Sequence, residues 1–238
     1  MNFNQATVFI TGANRGIGRA LLEELKNKGV KRIYAAARKT DDLEQLAGDL
    51  IVPVKLDITD LEQVKAAAEL AGDATILINN AGVLTGGSLL DRPVEEINRN
   101  FETNFFGTLN MIRAFAPVIE RSGGGAIANV LTVVSMASMA GLGGYSASKA
   151  AAFSLTQAVR AELKSKNIAV HAVFPGPVDT DMAAEITMPK TSAKDVAAAI
   201  IAGIESGAED IFPDSMSEQL SQIWLQSPKE LEKAFASM

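Results

Sequence analysis

The chain has 238 residues and a formal net charge of −6; 47% of its residues are hydrophobic and 21% charged, which provides for a sizeable core. The acidic balance, with no run of five Lys/Arg, argues against a nucleic-acid or anionic-membrane surface, and the lack of cysteine excludes disulfides and thiolate chemistry. A single histidine, His171, argues against a histidine-rich metal site or a histidine-based triad, so no metal ligands are expected.

No apolar stretch reaches eighteen residues, and the N-terminus lacks a basic region followed by an apolar core and a cleavage site. The expected location is the cytoplasm. Apolar runs predict strands over 7–11, 32–37, 51–57, 75–79, 125–132, 168–174 and 209–213. These runs are continuous rather than alternating, the pattern of strands buried on both faces in a parallel sheet covered by helices. Helical segments fall near 16–28, 60–71, 94–120, 144–166 and 192–206, with a last one over roughly 216–236. Ser192 with Asp195 reads as a capping box, and Ser227 with Pro228 and Glu230 as a second helix start. Strands alternating with helices predict right-handed crossovers and an α/β doubly wound parallel sheet of about seven strands. The expectation is a single three-layer α/β/α domain over 1–238, since Ser122 and the three glycines after it precede a strand and read as a loop.

Two local patterns carry chemistry. The first strand runs through Thr11, Gly12, Ala13, Asn14, Arg15, Gly16, Ile17 and Gly18 into a helix. A glycine-rich turn between a strand and a helix N-terminus presents backbone N–H groups and the positive dipole end to an anion, and its glycines let a pyrophosphate approach. The spacing is G-x-x-x-G-x-G, not the commoner G-x-G-x-x-G. Far downstream, Tyr145 and Lys149 stand four residues apart, one helical turn on the same face. A neighbouring ammonium favours a phenolate, so the pair reads as an acid/base group with a lowered phenol pKa; alone it is a weak signal, since most such pairs are solvated helix decoration.

Together these patterns resemble the short-chain dehydrogenases/reductases. The resemblance rests on TGANRGIG at 11–18, LDI at 56–58, NNAG at 79–82, YSASK at 145–149 and PGPVDT at 175–180. It is strong over 6–180 and weak beyond. It implies a Rossmann-like fold and hydride transfer between nicotinamide and a carbonyl carbon. Tyr145 would be the acid/base, Lys149 would tune it and bind the nicotinamide ribose, and Asn104 would hold a proton-relay water. The family's substrate-orienting serine, thirteen residues before the tyrosine, is replaced by Thr132. Its hydroxyl can serve the same role with a stiffer, bulkier side chain; Ser135 is the fallback.

By the same resemblance Gly12, Asn14, Arg15, Gly16, Ile17 and Gly18 would cradle the coenzyme. Asp57 and Ile58 would meet the adenine. Asn80, Ala81 and Gly82 would lie along the adenine ribose side. Pro175, Gly176, Val178 and Thr180 would lie at the carboxamide end. Ala37 occupies the place of an NAD-selecting acid and Arg38 follows it; Arg15 and Arg38 together suit a 2′-phosphate, so the expected cofactor is NADP(H) rather than NAD(H).

Met136, Met139, Met182 and Met188 flank the expected mouth, where core or interface filling is the first reading and an adaptable apolar pocket the second. The segment 181–190 corresponds to the family's substrate lid and is short, implying an open site; 181–238 as a whole is read as lid plus terminal helix. His171, in an apolar strand, is read as a packed polar side chain. A homodimer or homotetramer is expected, with a dimer through the helices near 94–120 and 144–166. The expected activity is NADP-dependent reduction of an aldehyde or ketone. A non-catalytic NADP-binding interaction or regulatory protein is the alternative. A nucleotide-sugar epimerase or dehydratase is disfavoured because it needs a longer C-terminal substrate domain.

Overall fold

A computed structural model of the protein describes residues 2–237. Seven parallel strands form the central sheet: β1 (Thr7–Thr11), β2 (Arg32–Ala37), β3 (Ile51–Lys55), β4 (Ile76–Asn79), β5 (Gly125–Val130), β6 (Ile168–Val173) and, later in the chain, β9 (Asp210–Ile211). Their spatial order is β3-β2-β1-β4-β5-β6-β9. The register pairs Phe9 with both Tyr34 and Leu77, and Ile127 with Leu77 and Val170. β1 and β4 are buried along their whole lengths, as continuous apolar runs require.

Helices cover both faces. On one, α1 (Gly16–Lys26) and α7 (Ala193–Ser206) pack Leu21, Leu22 and Leu25 with Ile200, Ile201 and Ile204. On the other, α3 (Leu61–Leu70), α5 (Thr108–Arg121) and α6 (Gly143–Leu163) bury Val64, Phe115 and Val159 around Phe9. Phe9 meets Phe115 at 4.5 Å between ring centroids. The short α2 (Asp41–Glu44) follows β2, and α4 (Val94–Phe101) leads into α5.

The sequence expectations for the sheet hold, with strand ends trimmed: β3 stops at Lys55, β5 at Val130, and β9 keeps only two residues. Three features were not foreseen. The helix expected over 94–120 contains a π turn, Glu102–Gly107, between α4 and α5. α2 is an additional turn of helix. A two-stranded ribbon pairs β7 (Val178–Asp179) with β8 (Thr191–Ser192). The stretch expected over roughly 216–236 is two helices, α8 (Ser215–Gln226) and α9 (Pro228–Ala236), and α9 starts where the sequence marked a helix start, with Ser227 as its cap and Pro228 in its first position. The Ser192 cap forms as expected, accepting from the Asp195 N–H at 3.1 Å. Among the described residues no helix is long and apolar enough to cross a membrane.

The sheet order reverses direction between β1 and β4, and ligands of doubly wound sheets bind at the carboxyl ends of the strands beside such a point. The segments leaving β1, β2, β3, β4, β5 and β6 all converge there, on one cavity of about 970 Å³.

Candidate active site

The floor of the cavity is the β1–α1 turn. Gly12 and Gly16 hold φ of +68° and +53°, a region costly for any residue with a Cβ. A Cβ on Gly18 would strike the Gly12 carbonyl oxygen, so the glycine lets α1 pack directly behind the turn. Gly12, Asn14, Arg15, Gly16 and Ile17 line the cavity, whereas Gly18 stands behind them, buried. Asn80 fixes the turn from the next strand: its Nδ2 donates to the carbonyls of Thr11 and Gly12 at 3.0 and 3.1 Å. The Ala81 N–H donates to Thr11 Oγ1 at 3.0 Å.

Ala37 and Arg38 line the side wall, as do Asp57 and Ile58. Asp57 Oδ1 accepts from the backbone N–H and the hydroxyl of Thr59 at 3.0 and 2.8 Å, which holds this loop in shape. Arg15 and Arg38 are both exposed; Arg15 pairs with Asp181 at 3.7 Å. Ala81 and Gly82 continue the wall toward Lys149, and a Cβ at Gly82 would come within 3.1 Å of Asn104 Oδ1 and 3.5 Å of Lys149 Nζ.

Helix α6 delivers Tyr145 and Lys149 to the same cavity, both buried. Lys149 Nζ donates to the Val130 carbonyl at 2.7 Å and lies 6.0 Å from the Tyr145 ring centroid. Burial drives both groups toward their neutral forms: the Tyr145 phenol is pushed above its ordinary value, and the Lys149 ammonium down to about 8. The expected acidified phenol is therefore not what these side chains produce between themselves. Desolvation outweighs the ammonium's attraction, since the ammonium is directed at the Val130 carbonyl.

Asn104 sits inside the π turn and does not line the cavity. Its Oδ1 accepts from the Val83 N–H at 2.9 Å, and its Nδ2 donates to the Val83 carbonyl at 2.9 Å and to Ser148 Oγ at 3.0 Å. Ser148 in turn donates to the Tyr145 carbonyl at 2.7 Å. Asn104 thus braces the wall beside Lys149 and, through Ser148, the first turn of α6. Ser148 was not singled out from the sequence. It lies inside the YSASK run, where a fully buried polar residue on a helix demands a partner.

Thr132 lines the same cavity as Tyr145 and caps a short 3₁₀ turn, Val133–Ser135, its hydroxyl accepting from the Val134 N–H at 3.4 Å. Ser135 is buried, does not line the cavity, and donates to the Thr132 carbonyl at 2.5 Å. The geometry favours Thr132 over the fallback.

Pro175, Gly176, Val178 and Thr180 line the far end. The Pro175 carbonyl accepts from the Val133 N–H at 3.1 Å, and a Cβ on Gly16 would meet Thr180 Cγ2 at 3.2 Å, so this loop folds against the glycine turn. Its anchor is Asp214, which sequence reasoning missed. Buried Asp214 accepts from the Gly176 N–H at 2.8 Å through Oδ2 and from the Ser217 N–H at 2.8 Å through Oδ1. Its only sequence signal was an Asp three residues before a Ser at a helix start, half of a capping box.

Met139, Met182 and Met188 line the cavity, while Met136 packs against the core cluster around Phe153 and Phe174. Beyond the short lid, α8 and α9 contribute Met216, Leu220 and Phe235 to the wall. His171 is a packed side chain, as expected: buried in β6, with Nδ1 2.6 Å from the Ala208 carbonyl.

A family model described as short chain dehydrogenase matches residues 6–191. The chain is 33% identical over 192 residues to a probable oxidoreductase, EphD, of Mycobacterium tuberculosis; the match takes in 76% of this chain and 32% of that protein, so the chain spans about a third of that relative's length. It is 34% identical over 190 residues to carbonyl reductase [NADPH] 2 of Sus scrofa, covering 79% of this chain and 78% of that one. Among solved structures, a short chain dehydrogenase from Burkholderia cenocepacia in complex with NADP superposes with a TM-score of 0.94 at 37% identity, over 99% of both chains. One from Burkholderia phymatum in complex with NAD gives 0.83 at 26% identity, over 95% of this chain and 96% of that one. The family model spans most of the sequence, and each of the five motifs behind the resemblance places residues on one cavity: the chain belongs to the short-chain dehydrogenase family of oxidoreductases.

Proposed function

We propose that the protein reduces an aldehyde or ketone with NADPH. The observation that carries this reading is the placement of Tyr145: buried, on the wall of the cavity that Thr132 also lines, and one helical turn from Lys149.

The cavity fits a dinucleotide, because a Cβ at Gly18 would displace the very turn that opens the α1 N-terminus to an anion. Gly12, Asn14, Gly16 and Ile17 would hold the pyrophosphate, with Gly18 allowing the close packing behind. Asp57 and Ile58 would flank the adenine, and Asn80, Ala81 and Gly82 would lie along the adenine ribose side. Lys149 would bind the nicotinamide ribose, and Pro175, Gly176, Val178 and Thr180 would hold the carboxamide end. Arg15 and Arg38 supply two guanidiniums for a 2′-phosphate, while Ala37 offers no carboxylate to ribose hydroxyls. The NADP complex of the Burkholderia cenocepacia relative and the name of the porcine relative support this choice over NAD.

When bound, the coenzyme supplies the hydride. Tyr145, whose burial keeps the phenol protonated at neutral pH, donates from Oη to the carbonyl oxygen as charge develops there. Lys149, with a pKa near 8, is poised to return a proton to the phenolate and stabilises it while charged. Thr132 Oγ1 donates to the same substrate oxygen and orients the carbonyl. Asn104 is a positioning residue, holding Val83 and Ser148. The homodimer of this reading forms through α4, α5 and α6, and exposed Phe106, between α4 and α5, is an apolar side chain that it would cover.

The test follows NADPH and NADH absorbance against a panel of aldehydes, aliphatic and aromatic ketones, quinones and steroids. NADPH is consumed with at least one class, and Tyr145→Phe lowers turnover by a factor on the order of 10² or more with coenzyme affinity retained. Near-normal turnover in that variant, or a clear preference for NADH, refutes the reading.

A further inference from the structure

We infer that the terminal helices α8 and α9 set the depth of an apolar substrate pocket, so that the site takes a neutral carbonyl compound on an apolar body and rejects one carrying an anionic tail. This rests on the carbonyl reduction proposed above and names the substrate class of that site.

Part of the cavity wall comes from three segments: the loop ahead of α6, the lid, and the α8–α9 hairpin. Beyond the turn at Asp181 they contribute Met139, Leu142, Ile186, Met216, Leu220 and Phe235, all apolar, together with the lid methionines. Past Asp181, which opens the lid and pairs with Arg15, none of the described residues of these segments places an ionisable side chain on the cavity. The charged groups that do reach it lie elsewhere: Arg15 with its partner Asp181, Arg38, Lys39 and Asp57 along the coenzyme path, Arg99 and Glu102 from α4 and the π turn. Lys149 is directed at the Val130 carbonyl. A carboxylate carried into the α8–α9 end would lose its hydration and meet no counter-ion. Flexible thioethers there let one pocket adapt to apolar bodies of different outline.

The hairpin is a fixed wall rather than a loose flap. At its start Asp214 caps α8 and accepts from the Gly176 N–H, tying the wall to the loop that holds the coenzyme's carboxamide end. At its end Leu231 and Phe235 are fully buried in the cluster that also contains Tyr145, Phe153 and Phe174. Phe235 both packs α9 into the protein and lines the cavity, so its ring is part of the α9 wall.

The test uses straight-chain methyl ketones of increasing length and a matched series ending in a carboxylate, with NADPH, on wild type, Phe235→Ala and Met216→Trp. Thermal unfolding confirms that each variant folds; Met216 is only half-buried, so its variant reads the pocket if Phe235→Ala does not fold. In wild type kcat/KM rises by a factor of about four per methylene until the wall is met, then levels off. The carboxylate series falls below the neutral one by a factor on the order of 10². Phe235→Ala moves the plateau to longer chains and Met216→Trp to shorter ones. Calorimetric binding of the same compounds in the presence of NADP⁺ follows the same length profile. Equal use of both series, or a plateau at the same length in every folded variant, overturns the inference. If no carbonyl consumes NADPH while calorimetry keeps the length and charge dependence, the reaction falls and the pocket stands.

Discussion

The Lys149 ammonium donates to the Val130 carbonyl at 2.7 Å, inside the protein and with no ion pair to a carboxylate among the described residues. A buried cation without a counter-ion lowers its own pKa, here from an ordinary 10.5 to about 8. Between those values the unfolded chain holds a proton that the native state has released. Stability therefore rises with pH across this window, and the cost of the buried charge is fully present below pH 8. The difference in unfolding free energy between wild type and Lys149→Met moves in favour of wild type by about 2–3 kcal/mol between pH 7.5 and 10. Denaturant unfolding of both proteins across that range measures it; parallel pH profiles would show that Lys149 is not desolvated.

Ala37 ends β2 on the cavity wall, next to exposed Arg38. A carboxylate there would accept from ribose hydroxyls and repel a 2′-phosphate. Ala37→Asp is expected to reverse the coenzyme preference, lowering kcat/KM for NADPH by a factor on the order of 10² while NADH loses little. Arg38→Ala gives a smaller loss confined to NADPH, since an exposed charge is screened by water and salt. Steady-state kinetics with both coenzymes at low and high salt separate these effects; equal losses with NADH and NADPH would remove Arg38 from the phosphate site.

The sheet was legible because its strands are continuous apolar runs, and the glycine turn because only glycine tolerates the conformation at Gly12 and Gly16. Tyr145 and Lys149 were legible as an i, i+4 pair. What escaped the sequence depends on contacts between distant segments. The phenol's raised pKa follows from how deeply α6 buries Tyr145, which no spacing reveals. The link from Asn104 through Ser148 to the Tyr145 carbonyl needs the π turn, a backbone detail without a sequence mark. The lid looked short because the wall it lacks comes from α8 and α9, about thirty residues further along the chain. Asp214 was hidden for the same reason: its second acceptor serves Gly176, thirty-eight positions away.

Asp214 joins two N–H groups that belong to different parts of the site. Asp214→Ala leaves the Gly176 and Ser217 N–H groups without their acceptor and removes the α8 cap, at a cost of about 2–4 kcal/mol. If Asp214 only caps α8, Asp214→Ser restores both stability and activity. If it also holds the Pro175–Gly176 loop, the serine variant recovers stability while the KM for NADPH stays raised, because its shorter side chain serves the helix N–H alone. Melting curves together with KM and kcat for the two variants distinguish these roles.

Thr132 and Ser135 lie three residues apart, and only Thr132 reaches the cavity. Ser135 uses its hydroxyl on the Thr132 carbonyl, which tightens the 3₁₀ turn and fixes where Thr132 stands. Thr132→Val keeps the β-branched shape and loses the hydroxyl, so kcat/KM falls by a factor on the order of 10 to 10³ with coenzyme affinity unchanged. Thr132→Ser retains activity, since the methyl serves packing and not chemistry. Ser135→Ala costs about 1 kcal/mol of stability and little turnover. The reverse pattern, with Ser135→Ala inactive and Thr132→Val near normal, would require the 3₁₀ turn to rotate during catalysis and bring Ser135 to the substrate. Rate profiles of the three variants on one substrate decide between a threonine that polarises the carbonyl and one that merely ends a strand.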